Sequence, residues 1–172
     1  MKERGRLKQL FDNFNETLND SQISEKIIDF VKHDARNMHI KPEGVHCLEA
    51  AGDINELLLY LAIEQNCPEY DRLGLLESVA DVSIGIVILL HIFEIKIEDY
   101  ACPDMNIHNC MKNLLKLQKT LLDWAVGIGL NVFELKLELL YVKCAILGIM
   151  EMYNFSTEDL DKMVTIKLME FS

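Results

Sequence analysis

The sequence predicts an all-α protein, a helical bundle with a four-helix core. Apolar residues recur at the spacings of a helix along most of the chain, and no segment requires the alternation typical of strands. Only 3 prolines and 8 glycines interrupt the 172 residues. Half of the residues are apolar, which is enough to bury one sizeable core, so residues 1–172 are predicted to form a single domain.

An N-terminal helical extension is expected over residues 1–40. Apolar stripes predict one helix over residues 7–18 and another over residues 22–36, with a polar turn between them. These two segments precede the part of the chain that carries the candidate chemistry.

A first helical hairpin is predicted over residues 42–100. Pro42 suits the first turn of the third helix, which the Asn-Cys-Pro sequence at 66–68 ends. Asp71 is expected to cap a fourth helix that runs to about residue 95. The short connection favours antiparallel packing of the two helices.

A second hairpin and a C-terminal helix are predicted over residues 105–172. The fifth helix should cover about residues 106–126, and the glycines of the next turn should end it before a sixth begins near Val132. The sequence Ser-Thr-Glu-Asp at 156–159 resembles a capping box that opens the last helix.

Charge and apolar runs exclude several classes of function. The net charge of −11 opposes binding to nucleic acid polymers and to anionic membrane surfaces, but it permits a small polyphosphate if divalent cations lie between. The most apolar stretch, at 82–93, is about half as long as a membrane span, so we expect a core helix there, with His91 packed in it. No secretory signal is visible, and a cytoplasmic location is expected.

The five cysteines are odd in number and show neither a C-x-x-C pair nor a zinc-like spacing with histidine. They are predicted to be free thiols in a reducing compartment. No phosphate-binding glycine loop, zinc-protease motif or local trace of a catalytic triad occurs.

Acidic residues form two stripes on successive helices. Glu49, Asp53 and Glu56 share one face of the third helix, and Glu77 and Asp81 share one face of the fourth. If the helices pack antiparallel, the stripes face each other, and a hard cation such as Mg²⁺ or Mn²⁺ would offset their repulsion. The alternative is that both stripes are solvated faces.

Four of these acids lie within two short sequence motifs. The stretch AGDINELL at 51–58 resembles the first motif of the MazG and dimeric dUTPase superfamily, a helical E-x-x-E followed by leucine. The stretch ESVADV at 77–82 is similar to the second motif, E-E-x-x-D-V, at the family's usual separation. The likeness covers about residues 44–95, and more weakly the tail.

The chain departs from these motifs at two positions. Asp53 replaces the first glutamate of the first motif, which keeps the charge but shortens the side chain. Ser78 stands where the second motif has the glutamate of E-x-x-D, and Glu77 lies one residue earlier, about 100° around the helix. Two functions stay open: an active enzyme, and a catalytically degenerate relative that binds nucleotide or a protein partner.

The resemblance implies a Mg²⁺- or Mn²⁺-dependent pyrophosphohydrolase that converts a nucleoside triphosphate to its monophosphate and pyrophosphate. It implies catalytic roles for Glu56, Glu77 and Asp81, and metal binding by these three residues together with Asp53. The metal would neutralise phosphate charge and activate a water molecule.

Other residues are expected to support the site. Glu49 and Ser78 would lie beside the metal ligands without holding the ion themselves. Lys112 and Asn113 resemble the family's downstream Lys-Asn pair, which contacts phosphate, and Lys167 competes for that role.

A weak similarity links residues 57–98 with residues 121–159, so the bundle is either a degenerate tandem hairpin repeat or two hairpins that are alike by chance. This alignment sets Tyr60 against Trp124 and Phe93 against Phe155. It replaces the four acids by Leu117, Thr120, Leu139 and Lys143, which predicts a catalytically silent second half. The apolar helix surface and the paired hairpins of the similar family predict a homodimer.

Overall fold

A computed structural model describes residues 43–67, 71–97, 102–103 and 105–170. In this part of the chain there are five α-helices and no strand, which confirms the all-α prediction. The helices predicted over residues 7–18 and 22–36 lie outside the described residues. The five helices are α1 (Glu43–Asn66), α2 (Arg72–Ile92), α3 (Ile107–Ala125), α4 (Val132–Met152) and α5 (Thr157–Glu170).

Helices α1 to α4 form the predicted bundle. Helix α1 packs against both α2 and α3, α4 packs mainly against α3, and α5 lies on α2. Leucines supply much of the core, because one face of each helix is apolar and must be removed from water. Fully buried examples are Leu57 and Leu61 of α1, Leu75 of α2, and Leu114, Leu117 and Leu121 of α3.

Two predicted helix starts are confirmed by their hydrogen bonds. The Asp71 carboxylate accepts from the Gly74 amide at 2.9 Å, which caps α2. Before α5, the Asp159 amide donates to Ser156 Oγ at 3.0 Å and the Ser156 amide donates to Asp159 Oδ2 at 2.8 Å. This is the reciprocal pattern of a capping box, with aspartate at the position where glutamate is commoner.

The end of α2 was predicted too late, at about residue 95. The helix ends at Ile92, because Glu94 adopts a left-handed backbone with φ of 52° and the Ile95 amide turns back to the Leu90 carbonyl at 2.9 Å. His91, in the last turn, is exposed, so its predicted place in the core is wrong.

The two hairpins share their geometry at a spacing of 60 residues, as the caps Asp71 and Asn131 show. Helix α4 ends in the same way as α2: Asn154 has φ of 57°, and the Phe155 amide returns to the Met150 carbonyl at 2.8 Å. This spacing places Phe93 against Tyr153 and not against Phe155 as the sequence alignment had it. The repeated hairpin geometry is therefore present, in a different register.

The prediction that all five cysteines are free thiols is wrong for one pair. Cys102, which precedes α3, is joined by a disulfide to Cys144 of α4. Cys47 and Cys110 are buried free thiols, and Cys67 is an exposed one. Sequence spacing gave no sign of the pair, because the bridge joins positions that only the helical packing brings together.

Helix α2 is also long and apolar enough to cross a membrane by length and composition. In the bundle, 61% of its most apolar window is buried against the other helices. A core helix of a bundle and a membrane span share this composition, so the feature is weak evidence for either.

Candidate functional site

Helices α1 and α2 run antiparallel, as the short connection between them predicted. Gly74, at the start of α2, lies against the ring of Tyr60 near the end of α1, where an added Cβ would stand 2.7 Å from the Tyr60 hydroxyl. Farther along α2, a Cβ on Gly85 would lie 3.9 Å from Asp53 Oδ2 and 3.7 Å from Ala50 Cβ. Small residues thus let the two helices approach closely along their length.

The two acidic stripes meet across this contact. We call the five carboxylates Glu49, Asp53 and Glu56 of α1 and Glu77 and Asp81 of α2 the acidic cluster. Burial, and next the charge of Asp81, raise the pKa of Asp53 from 3.8 to about 6, with smaller contributions from Glu56 and Glu49. Carboxylates from both helices are therefore close enough to repel one another.

Lys167, in the last turn of α5, enters the acidic cluster. Its ammonium nitrogen lies 3.5 Å from Asp81 Oδ2 and 3.8 Å from Glu77 Oε2. Burial raises the pKa of Asp81, and the ammonium of Lys167 opposes that rise. A lysine of the same chain thus supplies part of the positive charge that the facing acids need.

The cluster is not a preformed metal cage. Among the described residues, no three His, Cys, Asp or Glu side chains stand together in a way that could hold a metal ion. Two of the acids, Glu77 and Asp81, share Lys167. A metal held by Asp53, Glu56, Glu77 and Asp81 would require these side chains to rearrange.

Ser78 lies next to the cluster and is 1% exposed. Its hydroxyl oxygen is buried and has no hydrogen-bond partner among the described residues. A buried polar atom without a partner carries a desolvation cost, so the Ser78 hydroxyl lowers the stability of the folded chain. Ser78 also stands at the position at which the motif that residues 77–82 resemble has a carboxylate.

The three candidate phosphate-binding residues are not brought together. Lys112 is exposed on α3, and Asn113 donates to the Asn109 carbonyl of its own helix at 2.9 Å. Helix α3 packs on α1 and α4, whereas the cluster lies between α1 and α2 and under α5. Of the three, Lys167 is therefore the residue that lies in the cluster.

The second hairpin carries no equivalent acidic cluster. At the spacing of 60 residues that the helix caps share, the acids at 53, 56, 77 and 81 correspond to Asn113, Lys116, Leu137 and Tyr141. These residues differ from the set that the sequence alignment gave, but neither set contains a carboxylate.

One polar group in the second hairpin was missed by the sequence reasoning. Glu138 of α4, the counterpart of Ser78, is buried, and burial raises its pKa although Thr120 donates a hydrogen bond to it and Lys116 lies near. Its Oε2 atom has no hydrogen-bond partner among the described residues. Glu138 could have been found only by comparing the two hairpins at a spacing of 60 residues. That spacing is recognised from the helix caps Asp71 and Asn131.

Comparison with known proteins does not assign the chain to a family. No family model matches the chain, and neither the curated proteins nor the solved structures contain a significant match. The motif resemblance described above therefore remains an interpretation of residues 51–58 and 77–82.

Proposed function

We propose that the chain is a Mg²⁺-dependent nucleotide pyrophosphohydrolase, which converts a nucleoside triphosphate or deoxynucleoside triphosphate to the monophosphate and pyrophosphate. The observation that carries the proposal is the meeting of Asp53 and Asp81 across two antiparallel helices, with Glu56 near both. Such facing acids have little structural value of their own, because their mutual repulsion destabilises the fold.

The chemistry of the donor set suits a hard divalent cation. All four proposed ligands, Asp53, Glu56, Glu77 and Asp81, are carboxylates, and Mg²⁺ and Mn²⁺ prefer oxygen donors and keep places for water and phosphate. When bound, the metal would neutralise phosphate charge and polarise an attacking water molecule. Lys167 is proposed to bind a phosphate oxygen, because its ammonium already lies among the same acids.

A second function is favoured by a different observation. Ser78 occupies a buried position where the similar family has a carboxylate, and no three acids of the described chain stand together as a metal site. The alternative is therefore a degenerate relative that binds nucleotide or a protein partner without hydrolysis.

An assay of pyrophosphate and monophosphate release would test the enzyme. The protein is incubated with a panel of canonical and modified triphosphates and with Mg²⁺ or Mn²⁺, and Glu56→Gln and Asp81→Asn serve as site variants. We expect activity in the wild type and a loss of several orders of magnitude in both variants. Asp123→Asn, on α3 outside the cluster, is the matched control and should keep wild-type activity.

A melting experiment tests whether the acidic cluster binds a divalent cation or is only a solvated acidic surface. A cation that binds only the folded state raises stability by about 1.4 kcal/mol at ten times its Kd. We expect millimolar Mg²⁺ to raise the Tm of the wild type above its value in EDTA, and Asp81→Asn to reduce the difference. If Mg²⁺ leaves the Tm unchanged and the wild type releases no pyrophosphate, the proposed enzymatic function is contradicted.

A further inference from the structure

One exposed stripe along α1 carries no charged residue. Six exposed positions follow one another at helical spacing in this stripe, and none is ionisable: Leu48, Gly52, Asn55, Leu59, Ile63 and Asn66. Since 26% of the chain is charged, a solvated face of this length would be expected to carry at least one charge.

Helix α3 continues this uncharged surface. A stripe of four residues, Met111, Leu115, Gln118 and Leu122, recurs at helical spacing on the side of α3 next to α1. Gln118 Nε2 donates to the Ala51 carbonyl at 3.1 Å and Gln65 Nε2 lies 3.3 Å from Met111 Sδ, so the two helices lie side by side and antiparallel. We call the six α1 positions and these four α3 positions the α1–α3 face.

Large apolar side chains on this face are open to solvent. Leu48 is 49% exposed, Leu59 57%, Leu115 51% and Leu122 42%. A helix of 24 residues is roughly 36 Å long and two packed helices are roughly 18 Å wide, so the face offers on the order of 600 Å². Two such faces together would bury about 1,200 Å², the lower end of the range for specific interfaces.

Charges of opposite sign border the two sides of the face. Glu49 and Glu56, two turns apart, lie on the side of α1 toward α2. Lys112 and Lys119, also two turns apart, are exposed on the far side of α3. The face is thus acidic along one long edge and uncharged in the middle, and lysines predominate along the other edge, where Asp123 follows Lys119 by one turn.

We propose that a second copy of this chain covers the α1–α3 face, in a dimer whose two-fold axis runs parallel to the helices between α1 and α3. In this arrangement α1 of each copy lies antiparallel against α3 of the other, and the four helices form a bundle between the copies. The acidic edge of each copy then lies over the basic edge of its partner.

Charge complementarity selects both the occupant and the axis. A two-fold axis perpendicular to the helices in the same plane would set acidic edge against acidic edge, which is repulsive. Each copy carries a net charge of −11, so two copies repel at long range and associate best through a surface that is uncharged at its centre and paired at its edges. The dimer does not depend on the proposed hydrolysis.

The first test changes the centre of the face in the full chain. Leu59→Glu should raise the dimer Kd by about 100-fold or more, because the buried carboxylate would have no partner. Leu73→Glu, at a 61% exposed leucine of α2 outside the face, is the matched control and should leave the Kd unchanged. Sedimentation velocity over a concentration series gives the Kd, and circular dichroism checks that each variant is folded.

The second test exchanges charges across the two edges. Glu49→Lys and Lys119→Glu should each weaken the dimer about tenfold, because each puts like charges together twice per dimer. An equimolar mixture of the two variants should recover wild-type association, since both edges of the mixed dimer then pair opposite charges. Only a self-complementary face predicts this recovery.

Three results would overturn the proposal. A wild type that is monomeric at all concentrations means that no second copy covers the face, and a lower Tm for Leu59→Glu would then indicate cover by residues 1–42. A dimer that survives Leu59→Glu uses another surface. A mixture of the charge variants that associates no better than either variant alone contradicts the two-fold axis.

Discussion

Lys167 of α5 places its ammonium nitrogen 3.5 Å from Oδ2 of Asp81 on α2, in the middle of the acidic cluster. The lysine is 17% exposed and the aspartate 20%, so water screens the pair less than it screens a surface ion pair. This contact ties the last helix of the chain to the proposed active site.

Removing the ammonium should destabilise the metal-free protein. We expect Lys167→Met to lower the free energy of unfolding by about 1–2 kcal/mol in EDTA, because Asp81 and Glu77 lose their counterion while they stay near other acids. Urea unfolding measures the change. The control is Lys162→Met, whose pair with Glu158 at 3.0 Å is exposed and should be worth less than about 0.5 kcal/mol. Equal effects would show that Lys167 is an ordinary surface lysine.

The raised pKa of Asp53 predicts an unusual pH dependence. The group binds a proton with a pKa of about 6 in the folded state and near 3.8 when unfolded, so the folded state holds more protons between these values. This contribution therefore favours folding more as the pH falls from 6 to 4, by about 1–2 kcal/mol after allowance for solvent screening.

Asp53→Asn tests this directly in EDTA. The variant should be more stable than the wild type at pH 7.5, where the wild type must keep Asp53 charged, and the gain should shrink as the pH falls toward 4. Chemical denaturation at a series of pH values provides the profile. A profile for Asp53→Asn that runs parallel to that of the wild type would contradict the raised pKa of Asp53.

Ser78 offers a test of catalytic competence. Ser78→Ala should leave stability unchanged or raise it by about 1 kcal/mol, because it removes a buried hydroxyl that has no hydrogen-bond partner. Ser78→Glu should cost about 2–4 kcal/mol in EDTA, since it buries another carboxylate beside the acidic cluster, and Mg²⁺ should recover part of that loss.

Activity of the same variants then distinguishes the proposed functions. If the wild type is inert and Ser78→Glu hydrolyses triphosphates, the chain is a degenerate relative that binds nucleotide. If both proteins are inert with Mg²⁺ and with Mn²⁺, the pyrophosphohydrolase proposal fails.

The disulfide predicts a dependence on reducing agents. Cys102 and Cys144 close a loop with a sequence separation of 42, for which the chain-entropy model gives at most about 4 kcal/mol of stabilisation. Reduction should lower the Tm, and replacement of both residues by serine should lower it at least as much, because Cys144 is fully buried and a serine there buries a hydroxyl. The exposed thiol gives the control, because Cys67→Ser should have no effect on the Tm. An unchanged Tm on reduction would show that the bridge does not stabilise the protein.

By itself the sequence determined the helical class, the limits of the described helices to within a few residues, and the acids of two adjoining stripes. These features follow from local rules: apolar spacing, caps such as Asp71 and Ser156, and the 100° rotation per residue that places Asp53 and Glu56 on one side of α1.

Tertiary structure alone decided which distant groups meet. Lys167 reaches Asp81, and Cys102 reaches Cys144, because helix packing brings together residues far apart in the chain. No local spacing rule encodes such contacts, and the same holds for the left-handed Glu94 that ended α2 early. The physical reason is that a spacing fixes which face of a helix a side chain occupies, whereas the packing of several helices fixes what that face contacts.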